Sequence, residues 1–73
     1  MREAGTIRER IFQALINRYQ ADGEAALVKI DALLRGEVLP GHEDVTGSID
    51  KQIAKVAFAE EKMATLRRHY GTN

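Results

Sequence analysis

The stretch RGEVLPGHEDVTGS at positions 35–48 divides the chain in two. It holds the only proline and three of the six glycines. Apolar residues recur at helical spacing on both sides of it. A break of this kind between two long periodic runs points to an all-α antiparallel helical hairpin. The expected elements are a long helix over about 6–35, a bend over 36–47 and a second helix over 48–70.

The first run starts at Thr6. Glu9 follows three residues later, the spacing of a capping box, in which hydroxyl and carboxylate each take one orphan amide. Ile11, Phe12, Leu15 and Tyr19 then fall on one helical face. Ala26, Ile30 and Leu33 keep the same phase at 100° per residue. That preserved phase favours one continuous helix through Gly23. The alternative is a three-helix bundle with a break at 22–23, because Asp22-Gly23-Glu24 is itself a good helix start. In a continuous helix Gly23 sits on the buried stripe and allows close backbone approach. Gly36 supplies the C-terminal stop, and Pro40 blocks a restart nearby. Val38, Leu39 and Val45 are expected to cover the open end of the helix pair.

The second run is expected to start at Ser48 as N-cap, with Asp50 in the first turn. Its stripe reads Ile49, Ile53, Val56, Met63, Leu66 and Tyr70, with Ala57, Ala59 and Ala64 beside it. Arg67, Arg68 and His69 suit the negative end of the helix dipole, and Gly71 ends the run. No internal repeat or low-complexity tract is present, and the 73 residues form a single helical domain.

A chain this short buries only about 60% of its unfolded surface, so it needs reinforcement. It has no cysteine, which excludes disulfides and thiolate zinc sites. Association is the remaining route, and completion of a helical bundle by oligomerisation is expected. Leu27, Val28 and Leu34 widen the apolar face of the first helix beyond what one partner helix covers. Glu60 and Arg67, seven apart, fall on the stripe of the second helix and are candidate register-setting charges between subunits. Arg8 and Asp22 occupy similar positions on the first helix and are candidate partners for them.

The motifs of catalysis are missing. Gly36 and Gly41 have the glycine spacing of a phosphate loop, but His42 and Glu43 stand where lysine and serine or threonine are needed. His42, Glu43 and Asp44 are consecutive, and ligands of one metal ion are usually separated along the chain. His69 lies about 31 Å along the second helix from its start, too far from His42 within one hairpin. The one serine is taken up by the cap. No catalytic, cofactor or metal site is therefore expected, and the chain reads as a non-enzyme without cofactors.

Phe58 lies about 180° around the helix from Ile49, on the polar side. Lys51, Lys55, Lys62 and His69 share its face. An aromatic ring among cations is a contact patch for an acidic protein surface or for nucleic acid. Net charge is zero, and this face carries lysines where arginine forks dominate specific nucleic-acid contacts. The expectation is a small protein–protein interaction module, an adaptor, assembly component or inhibitor, that also forms a homo-oligomer. The alternative is a nucleic-acid-binding regulator using the Lys51/Lys55/Phe58/Lys62 face. A metal-dependent activity through His42 ranks third. The first ten residues show no apolar run behind their charges, and no stretch approaches about 18 consecutive apolar residues. No membrane association is expected, and a cytoplasmic location is.

Overall fold

The computed structural model describes residues 6–40 and 44–71. They form two helices, α1 over Ile7–Leu34 and α2 over Val45–Tyr70, packed against each other. No strand occurs among the described residues. The molecule measures 51 × 26 × 18 Å, with a radius of gyration of 16.2 Å. A globular chain of this length would have a radius near 11 Å. The hairpin is therefore a rod two helices thick, and each helix has one neighbour.

The capping box at Thr6 forms as expected. The Glu9 amide donates to Thr6 Oγ1 at 3.2 Å, and the Thr6 amide donates to Glu9 Oε1 at 2.8 Å. The other end of α1 closes in a Schellman arrangement around Gly36. The Gly36 amide donates to the Leu33 carbonyl at 3.2 Å, and the Glu37 amide to the Ala32 carbonyl at 2.8 Å. Gly36 has φ +75°, a conformation costly for a residue with a Cβ.

Helix α1 runs unbroken through Gly23, so the three-helix alternative is not adopted. A Cβ built on Gly23 would lie 3.6 Å from the Ala59 Cβ. This pair of small residues marks where the two backbones come close. Counting outward from it in opposite directions sets Ile30 against Gln52, Leu33 against Ile49, and Ile16 against Leu66. All six are buried or half-buried, as an antiparallel register requires. Ser48 and Gln52 are polar members of this interface. No buried side-chain polar atom among the described residues lacks a hydrogen-bond partner.

Several expectations need correction. Helix α2 begins three residues earlier than Ser48. Asp44 is its N-cap and accepts the Gly47 amide at 2.7 Å. Aspartate caps as well as serine does, and the earlier start adds most of a turn of backbone hydrogen bonds. Ser48 is consequently buried inside α2, and Asp50 lies beyond its first turn. Val38, Leu39 and Val45 do not seal the end of the hairpin. All three are exposed, Leu39 at 88%.

The buried line of α2 is also rotated from its expected place, by about 50°. It passes through Ser48, Gln52 and Ala59, with Val56, Met63 and Leu66 of the expected stripe half-buried beside it. Ile53, Ala57 and Ala64 are exposed as a result and Ile49 is half-buried, while Tyr70 keeps the interface phase and is exposed at the end of α2, where it borders a pocket with Phe12. On α1 the small change is from Ile11, which is exposed, to Ile16, which is buried. The physical cause is close packing. Gly23 and Ala59 let the helices approach, and that approach outweighs the larger side chains in choosing the face. Glu60 and Arg67 leave the stripe with this rotation, and they are exposed, as are Arg8 and Asp22 of α1.

Candidate partner-binding groove

The rotation moves the lysine face of α2 from the far side of the hairpin to the edge of the helix interface. A groove of about 430 Å³ opens there between the helices. Its floor includes Ala26 and Ala59, whose short side chains leave the space unfilled. Lys55, Phe58 and Lys62 of α2 form one wall, and Asp22 and Lys29 of α1 stand on the other.

Lys62 connects the two helices. Its Nζ lies 5.0 Å from the centre of the Phe58 ring and 5.4 Å from that of Tyr19. Phe58 and Lys62 are four residues apart, hence neighbours on one helical face. Tyr19 reaches Lys62 from α1, one turn before Gly23. Each such cation–π contact contributes about 0.5–1 kcal/mol at an exposed site. Phe58 itself is 65% exposed, so one part of its ring carries the lysine and much of the rest is open to a partner.

Three of the five candidate contact residues, Lys55, Phe58 and Lys62, thus meet in one concave site. Lys51 shares the flank without lining the groove. His69 is exposed near the end of α2, about 16 Å along the axis from Phe58, beside Tyr70 at a ring separation of 6.2 Å. Sequence reasoning missed Asp22 and Lys29 as lining residues of this site, and Tyr19, which borders the opposite groove, as the second ring against Lys62. They come from the other helix, and only the register places them there. The signal available was the pair of small residues, Gly23 and Ala59, which sets that register.

The opposite flank carries a second groove, with Leu27, Gly23 and Glu24 on α1 facing Val56, Glu60 and Met63 on α2. Leu27 and Glu60, both candidates for self-association, are brought together in it. Leu34 lies on the same side at the bend end of α1. Arg67 is exposed seven residues beyond Glu60, and Val28 points away from α2 altogether.

The metal and phosphate-loop candidates Gly41, His42 and Glu43 lie outside the described residues. Among the described residues no group of three or more His, Cys, Asp or Glu side chains could hold a metal ion. No described helix is long and apolar enough to cross a membrane. No protein-family model, curated protein or solved structure matches this chain.

Proposed function

We propose that this protein is a non-catalytic interaction module that associates with itself and binds a protein partner through exposed helix faces. The observation that carries this reading is the balance of apolar side chains. Among the described residues only Ile16, Ile30 and Leu33 are large apolar side chains that are buried, whereas eleven are exposed. Exposed apolar surface on this scale marks an association surface. The groove at Phe58 adds a partner preference. Three lysines and one aspartate border an aromatic ring, which suits an acidic segment with an apolar anchor.

Light scattering and thermal melting over a concentration series test the core of this proposal. The expected result is a mass that rises above 8.2 kDa and a melting temperature that climbs with concentration. A mass of 8.2 kDa at every concentration, with a sharp melt indifferent to dilution, would overturn it.

One observation favours a second reading, a nucleic-acid-binding regulator. Lys29, Lys55 and Lys62 surround a ring on which a base could stack. Asp22 in the same groove and the zero net charge weigh against it. Salt separates the two. Nucleic-acid affinity falls steeply as salt rises, whereas a contact anchored on Phe58 holds.

A further inference from the structure

Helix α1 is apolar on two faces. Its front packs on α2. Its back starts with Ile7, Ile11 and Ala14, which with Arg10 line a shallow exposed patch. The same line continues through Ala21, Ala25, Val28 and half-buried Ala32, with Ala25 also bordering the groove described above. With Arg18 in the one remaining place, the steps alternate four and three over the whole helix, the spacing of a coiled-coil seam. Ile7, Ile11 and Val28 are 74, 56 and 66% exposed, although each is large enough to belong in a core. The outward face of α2 is different, with Asp50, Ala54, Ala57, Glu61, Ala64 and Arg68 at its corresponding positions and no large apolar side chain among them. So α1 offers large apolar side chains on two sides, and α2 offers none on its outer side.

We propose that this back face pairs with the same face of a second copy, antiparallel, about a two-fold axis lying between Arg18 and Ala21. The proposal rests on the self-association reading above and specifies its geometry. Charge decides the partner and the direction. Residues 7–20 carry Arg8, Arg10 and Arg18 against one acid, Glu9. Residues 21–34 carry Asp22, Glu24 and Asp31 against one base, Lys29. An antiparallel pair lays the basic half of each α1 on the acidic half of the other. A parallel pair in register would press the two Arg18 side chains together.

In the antiparallel arrangement the seam positions pair so that their numbers sum to 39. Ile7 lies beside the partner's Ala32, and Ile11 beside the partner's Val28. Arg18 falls opposite the partner's Ala21, a residue small enough to leave room for a guanidinium. Asp22 and Glu24 of the partner subunit flank that position and supply its counter-charges. On one edge Arg10 comes level with the partner's Asp31. On the other, Arg8 comes level with the partner's Lys29, an unfavourable pair at the rim that solvent and salt screen. The lone charge in the seam sets the register, because sliding by one heptad removes Arg18 from between its acids.

The absence of cysteine makes the test direct, since single cysteines placed in the full chain label one position only. Spin labels on Ile7→Cys should lie about 38 Å apart between subunits, and on Val28→Cys about 26 Å, from the helical rise. Labels on Ala21→Cys should come within about 15 Å, at the two-fold axis, allowing for helix separation. Arg18→Glu should raise the dissociation constant about tenfold while leaving helicity unchanged, and adding Asp22→Lys and Glu24→Lys should restore it. A dimer with short distances at Glu60→Cys and long ones at Ala21→Cys, or one indifferent to Arg18→Glu, would overturn this pairing and leave self-association standing. A monomer at every concentration would remove both.

Discussion

Replacing Gly23 with alanine should stabilise the hairpin, although Gly23 is buried at the closest approach of the helices. Alanine is favoured over glycine in a helix interior by about 1 kcal/mol. The new methyl would lie 3.6 Å from the Ala59 Cβ, ordinary van der Waals contact, so nothing has to move. Burying it adds up to about 0.8 kcal/mol. A gain of about 1–1.5 kcal/mol follows, part of the methyl term being lost to surface already covered. Unfolding entropy for a chain of this length is about 150 cal/mol/K, so the melting temperature should rise by about 6–10 °C. Circular dichroism melts of both proteins at one matched concentration measure this, because association shifts apparent stability. Gly23→Leu is the control. Its side chain must force the helices apart and should cost about 1–3 kcal/mol. If Gly23→Ala lowered the melting temperature, the register that places Gly23 on Ala59 would be wrong.

Gly36→Ala should destabilise by about 1 kcal/mol, since φ is +75° there and the new Cβ would meet nothing within 4 Å to offset the strain; urea denaturation would read it. Asp44→Ala should cost about 1 kcal/mol through loss of the α2 cap and should raise amide exchange at Gly47, the amide that Asp44 holds. Phe58→Ala should leave helicity intact and weaken binding of an acidic partner, measured by titration calorimetry, because the ring is mostly exposed. A collapse of the fold in that variant would show that Phe58 carries core packing. Lys62→Leu should keep most of the stem's packing and lose both cation–π contacts, reducing stability by about 1 kcal/mol, read by urea denaturation.

Local signals in the chain set most of the helix ends, and the preserved apolar phase favoured two helices over the three that Asp22-Gly23-Glu24 also allowed. Thr6 with Glu9, Gly36, and the cations before Gly71 each act through hydrogen bonds or charge within a turn or two of themselves, so they can be read without knowing the fold. The start of α2 is not legible locally, because Asp44 and Ser48 are equally good caps and the extra turn decides between them. Facing was a different matter. Apolar periodicity finds a stripe, but α2 carries Ile49 and Ile53 on one side of its true interface and Lys55, Phe58 and Lys62 on the other. Which side turns inward depends on how near the partner helix can come, and Gly23 against Ala59 fixes that distance between residues 36 positions apart. The groove, its lysines from both helices and the place of Tyr19 exist only once those two small residues meet, so tertiary packing alone decided them.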